Sequence, residues 1–140
     1  MSLLRLRSWK RLLESTRRRR CRGIAPRSIF VLALAGSAVA GPADVLSASA
    51  DCSASVCNFV VTVRHADQGW NHYANAWDIV APDGSVLATR VLLHPHVDEQ
   101  PFTRELRGVE IPPGIKSVIV RARDSVHGLG GREAVISLGN

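Results

Sequence analysis

Asn58-Phe-Val-Val-Thr-Val-Arg64 repeats its bulky apolar residues at every second position. Phe59, Val61 and Val63 fall on one side of an extended chain, because successive side chains of a strand point to opposite faces. A helix would need apolar residues three and four positions apart instead. The stretch therefore predicts a β-strand with one face in a hydrophobic core.

The same period of two recurs along the chain after residue 44. Val118, Val120 and Ala122, for example, share one side of a second apolar stretch. The candidate strands cover residues 44–52, 58–64, 76–81, 86–92, 104–111, 116–124 and 132–138. Turn-forming residues stand between strands at Pro82-Asp-Gly84 and Pro112-Pro-Gly114. About seven short strands without a convincing helix predict an all-β fold, a single antiparallel β-sandwich.

Two of these strands read as Leu106-x-x-Val109-x-Ile111-Pro-x-Gly-x-x-x-Val118-x-Val120. This segment looks like the fifth and sixth strands of an immunoglobulin-like or fibronectin type III-like domain, and the likeness of strand pattern extends over most of residues 44–138. The resemblance implies an immunoglobulin-like sandwich of about seven strands. It implies no particular chemistry, because such sandwiches carry many unrelated functions.

The charge of the chain is divided unevenly along its length. Residues 1–40 hold ten Lys or Arg and a single acid, whereas residues 41–140 hold eight basic and eleven acidic side chains. The basic block precedes an uncharged apolar run over residues 29–39 and the small residues Ala38-Val-Ala40, which is the order of a secretory signal peptide. The apolar run is shorter than the ~20 residues of a transmembrane helix. We therefore predict a signal peptide over residues 1–40, cleavage near residues 40 and 41, and a periplasmic or secreted β-sandwich domain over residues 41–140 without a membrane span.

The predicted mature domain has a net charge of −3, from eight basic and eleven acidic side chains. Binding to a phosphate backbone requires clustered Lys and Arg, so nucleic acid is not a predicted partner. Gly128-Leu-Gly-Gly131 reads as a flexible link, since it lacks the Lys-Ser/Thr pair of a phosphate-binding loop. The chain also lacks a Gly-x-Ser-x-Gly nucleophile elbow. These features favour a protein that is not an enzyme.

Cys52 and Cys57 are the cysteines of the predicted mature domain. An even count in an oxidising compartment predicts a disulfide bond, which here would join the ends of the first hairpin. A loop this short contributes only ~2 kcal/mol to the free energy of unfolding in the chain-entropy model. The alternative interpretation is a pair of free thiols.

The histidines of the domain lie in loops or at strand ends. The junctions that follow alternate strands of an antiparallel sandwich share one end of the domain, and imidazole is the commonest protein ligand of zinc and copper. We therefore predict a copper or zinc site at this end. Its predicted ligands are His65, His94, His96 and His127. The carboxylates near enough in sequence to orient those ligands are Asp67, Asp98 and Glu99.

Loops also tolerate histidine without any ligand, so hydrogen-bonding or stacking histidines are the alternative interpretation. Trp77 opens an apolar strand and is predicted to lie in the core. Trp70, His72 and Tyr73 occupy a polar loop, which is typical of a binding surface for a sugar or a protein partner. The alternative for these three residues is a lid packed over the end of the core.

Two functions follow from these features. The first is a non-catalytic binding module that recognises an envelope or extracellular protein or glycan through its end loops. The alternative is a small histidine-rich carrier or buffer of copper or zinc. Small sandwiches without a catalytic motif are more often binding modules, so the sequence favours the first.

Overall fold

The computed structural model describes residues 40–139, so the predicted signal peptide lies outside the described residues except for Ala40. Seven strands are present in this range. They are β1 (Asp44–Ser53), β2 (Val56–Arg64), β3 (Ala74–Val80), β4 (Val86–Val91), β5 (Phe102–Glu110), β6 (Ser117–Asp124) and β7 (Ala134–Ser137). Between residues 40 and 139 no helix has the length and apolar composition needed to cross a membrane.

The strands form two antiparallel sheets, an arrangement consistent with a β-sandwich. One sheet has the strand order β1-β2-β5, and the other has the order β4-β3-β6-β7. The predicted all-β class and the number of strands are therefore confirmed. β3 begins at Ala74, two residues earlier than predicted, because Ala74 already pairs with Asp124 at the end of β6.

The hydrophobic core draws side chains from both sheets. Phe59, Val61 and Val63 of β2 are completely buried, so the alternation of this strand is confirmed. Trp77 of β3 is 0% exposed and forms part of the core, as predicted. Burial of apolar side chains of this size is the main source of stability of the domain.

Cys52 and Cys57 lie opposite each other in the β1–β2 hairpin. Their sulfur atoms are 2.05 Å apart, and five positions separate the two residues in sequence. The cysteines therefore lie at the predicted disulfide distance and close the outer end of one hairpin. The bond lies at the opposite end of β2 from His65.

Three loops meet at the other end of the domain. They are residues 65–73 between β2 and β3, residues 92–101 between β4 and β5, and residues 125–133 between β6 and β7. The backbone N–H of His65 donates a hydrogen bond to Gln100 Oε1 at 3.0 Å, and the N–H of Tyr73 donates to Ser125 Oγ at 3.2 Å. These contacts confirm that the three junctions share one end.

Candidate metal centre

His65 follows the last residue of β2, and its ring is fixed from one side. Its Nδ1 lies 2.6 Å from Asp67 Oδ1, and both side chains are fully buried. Because a carboxylate has no proton to donate, the imidazole proton is on Nδ1 and the lone pair remains on Nε2. Nε2 is buried and has no hydrogen-bond partner within the protein. His65 therefore presents an oriented and unused nitrogen ligand.

Asp67 connects the first two of the three loops. Besides the His65 ring, its Oδ1 accepts a hydrogen bond from the N–H of Ala74 at 3.0 Å. Its Oδ2 accepts one from the N–H of His96 at 2.6 Å. A single buried carboxylate thus fixes the His65 ring, the start of β3 and the β4–β5 loop.

Asp124 is the last residue of β6 and is buried. Its Oδ1 accepts hydrogen bonds from the N–H groups of Val126 at 2.9 Å and His127 at 2.7 Å, and lies 3.0 Å from His72 Nε2. Burial raises the pKa of Asp124, but these hydrogen bonds outweigh it and hold the pKa below its ordinary value. Its other oxygen, Oδ2, is buried without a partner. Asp124 is therefore a fixed carboxylate with one unused oxygen.

His65, His72 and Asp124 come together as one group, which we call the His65–His72–Asp124 site. Each of these buried residues offers a ligand atom, and the three atoms lie within 4.8 Å of one another. The rings of His65 and His72 meet edge to face, with centroids 4.7 Å apart. The two unused buried atoms, His65 Nε2 and Asp124 Oδ2, belong to residues of this group. Two imidazoles and one carboxylate are a donor set typical of zinc and copper.

His127 lies at the rim of the His65–His72–Asp124 site. Its Nδ1 is 3.2 Å from Asp124 Oδ1, and its ring centroid is 4.8 Å from that of His72. The His127 side chain is 39% exposed, whereas that of Asp124 is 0% exposed. His127 is therefore in contact with both the site and solvent.

The structure places His94 and His96 outside this group, which separates them from the other two predicted ligands. The backbone of His96 contacts Asp67, but its ring stacks on Phe102 with centroids 3.9 Å apart and planes inclined by 12°. The exposed ring of His94 lies beside it, 4.6 Å away between centroids. The sequence-based grouping of four histidines differs from the structure here because the main chain of His96, and not its ring, reaches Asp67.

The other residues predicted at this end have separate surroundings. Glu99 forms an ion pair with Arg104 at 2.8 Å and not with a histidine, and Asp98 is exposed. Trp70 is 68% exposed, and its ring meets that of Tyr73 edge to face with centroids 5.7 Å apart. Of the three carboxylates predicted to orient histidine ligands, Asp67 is thus the one hydrogen-bonded to an imidazole ring among the described residues.

Sequence reasoning did not place Asp124 and His72 at a shared site. A signal for Asp124 was present, because it continues the buried side of β6 two residues after Ala122, and a buried carboxylate needs partners. His72 had no comparable local signal. It reaches Asp124 because Ala74, two residues later, pairs with that residue across the sheet.

Replacing His96 with phenylalanine should make stability less dependent on pH. Burial, the charge of Arg104 and the neighbouring His94 lower the pKa of His96 below its ordinary value, and both its ring nitrogens lack partners. Below about pH 6.5 the unfolded chain therefore takes up a proton that the native ring refuses, so the native state loses stability as pH falls to the native pKa. The linkage slope for one proton is at most about 1.4 kcal/mol per pH unit.

The measurement is the free energy of unfolding by denaturant, with metal chelated, at pH 7 and pH 5. The wild type should lose more stability between the two values than His96→Phe does, and the exposed His94→Phe should behave like the wild type. Equal losses in the wild type and His96→Phe would show that His96 titrates normally in the native state.

No protein-family model matches this chain, and no solved structure matches it. Among curated proteins, a relative from Halomicrobium mukohataei described as "Putative lipoprotein" is 41% identical over 78 residues. The match covers 56% of this chain and 38% of the relative. The chain thus corresponds to well under half the length of that protein.

Proposed function

We propose that this chain is an exported, non-catalytic β-sandwich protein that binds a divalent transition-metal ion at the His65–His72–Asp124 site. The observation that carries the proposal is the pair of buried, unused ligand atoms in one group, His65 Nε2 and Asp124 Oδ2. An unpaired buried polar atom costs about 1–3 kcal/mol, and a bound cation would satisfy both.

The donor set supports zinc or copper as the ion. Imidazole nitrogens suit these metals, whereas calcium and magnesium prefer oxygen ligands throughout. Tetrahedral bonds of about 2.1 Å place donor atoms roughly 3.4 Å apart, so donors now within 4.8 Å need only small side-chain movements. The ion would replace the proton shared by His72 and Asp124, while Asp67 keeps the His65 proton on Nδ1.

Export is supported by two independent features. The basic block, apolar run and small residues of positions 1–40 have the order of a signal peptide. The similar protein from Halomicrobium mukohataei is described as a lipoprotein, which favours an envelope location, periplasmic or secreted, for this chain as well. The strand order β1-β2-β5 and β4-β3-β6-β7 supports the immunoglobulin-like or fibronectin type III-like assignment within the same proposal.

Zn²⁺ and Cu²⁺ should each bind the purified protein at one-to-one stoichiometry with a Kd below about 10 µM. Metal bound only by the native state stabilises it by about 2.7 kcal/mol at 100 times the Kd, which raises the Tm of a 100-residue domain by about 10–20 °C. His72→Gln keeps a hydrogen-bond donor for Asp124 but removes a ligand, so it should lose this shift. The measurements are titration calorimetry and thermal unfolding.

The matched control is His94→Gln, which changes an exposed histidine of the same end and should keep the full shift. Mg²⁺ should cause no shift in any variant. Loss of the shift in His94→Gln with retention in His72→Gln would assign the ion to the His94 and His96 pair and contradict the proposed site.

A second candidate function is favoured by apolar side chains exposed at the same end. Large apolar residues in the three loops are Trp70, Leu93, Val97, Val126 and Leu129, each at least 45% exposed. Exposed apolar groups gathered at one end are typical of a contact surface. This candidate is a binding module for an envelope or extracellular protein or glycan. It needs no metal, so a wild type that fails to bind Zn²⁺ and Cu²⁺ would favour it.

A further inference from the structure

His127 differs from the other donors around Asp124 in its exposure to solvent. The side chains of His65 and Asp124 are 0% exposed and that of His72 is 10% exposed, whereas that of His127 is 39% exposed. Its ring still touches the site, with Nδ1 3.2 Å from Asp124 Oδ1. A ligand exchanged between the site and an external molecule would pass this ring.

The backbone of His127 is fixed although its ring is exposed. Its N–H donates to Asp124 Oδ1 at 2.7 Å, and Gly128 exchanges two backbone hydrogen bonds with Asp124 at 3.1 and 3.2 Å. Gly128 closes this turn at a φ of 73°, which glycine adopts without strain. The His127 ring can therefore turn about its side-chain bonds, as exposed side chains do within nanoseconds, while Asp124 stays in place.

The number of buried ligands decides what kind of metal site this is. Zinc takes four ligands in a closed structural site, whereas sites that exchange a ligand keep one position open. His65, His72 and Asp124 supply three. The fourth position is left to His127 or to a molecule from solvent.

This inference rests on the metal binding proposed above. We propose that His127 is the exchangeable fourth ligand and that the ion is cargo, passed to a nitrogen or sulfur donor of an acceptor molecule. In the exchange the bond between the ion and the His127 nitrogen breaks as a bond to the incoming donor forms. The oxidation state of the ion does not change, and the three buried ligands hold it until the acceptor has replaced them.

Two measurements on His127→Ala test this role. With Co²⁺ as a spectroscopic probe, the variant should still bind one ion, but its ligand-field absorption should differ from that of the wild type. Millimolar imidazole should restore the wild-type spectrum, because it fills the position that the side chain left. With Zn²⁺ bound, transfer to a chromogenic chelator should be at least about 10-fold faster than from the wild type, since lost ligands act mainly on release rates.

His94→Ala, which removes another exposed imidazole of the same end, is the matched control and should change neither measurement. A His127→Ala protein with the wild-type spectrum and transfer rate would overturn the inference, and so would complete loss of metal binding, which marks an obligatory ligand. Failure of the wild type to bind any of these ions would instead refute the proposed function. The two failures are therefore distinguishable.

Discussion

Replacing Asp67 with alanine is expected to lower the free energy of unfolding by about 3–5 kcal/mol. Three donors would lose their acceptor: His65 Nδ1–H and the N–H groups of Ala74 and His96. Each unsatisfied buried donor costs about 1–3 kcal/mol, and water entering the space left by the carboxylate recovers part of that cost. Since small domains have about 5–15 kcal/mol of stability in total, the variant should be close to unfolding at room temperature.

Asp98→Ala is the matched control, because it removes an exposed carboxylate of the same end and should change stability by less than about 0.5 kcal/mol. Asp67→Asn keeps one acceptor oxygen and should lose about half as much stability as Asp67→Ala. In that variant the affinity for Zn²⁺ should fall about 10- to 100-fold, because the His65 ring loses the carboxylate that orients it. Denaturant unfolding that found Asp67→Ala as stable as Asp98→Ala would contradict the three-bond role of Asp67.

Gly131→Ala is expected to destabilise the domain by about 3 kcal/mol, at the upper end of overpacking effects. A Cβ at this position would lie 1.9 Å from the carbonyl oxygen of Ala43, and backbone cannot yield as a flexible side chain can. The two segments are also tied together, because the N–H of Val45 donates to Arg132 O and the N–H of Arg132 donates to Asp44 Oδ1, both at 2.8 Å. Separating them would break these bonds.

Thermal unfolding measures this effect, and the Tm should fall by on the order of 10–20 °C. Gly41→Ala is the control, since a Cβ at Gly41 meets no atom within 4 Å. A Gly131→Ala protein as stable as Gly41→Ala would mean that β1 can move away from the β6–β7 loop at little cost. The prediction also revises the interpretation of residues 128–131 as a flexible link, because Gly131 is held against β1.

The sequence by itself determined the all-β class, the number of strands and the end of the domain where the histidine loops meet. These features follow from local patterns. A strand that buries one face must repeat apolar residues at every second position, as Phe59, Val61 and Val63 do, and the alternation of strand direction then assigns loops to ends. The burial of Trp77 was predictable for the same reason, because a large apolar side chain within such a strand has no other place to go.

Only the tertiary structure decided which histidine rings share a site. His72 meets Asp124 across 52 positions of sequence, and His96 meets Asp67 across 29. In the first pair the imidazole makes the contact, whereas in the second the backbone does, and the ring stacks on Phe102 instead. Loops have no periodicity that fixes side-chain direction, so the direction of each ring depends on the distant partners that the fold brings to it.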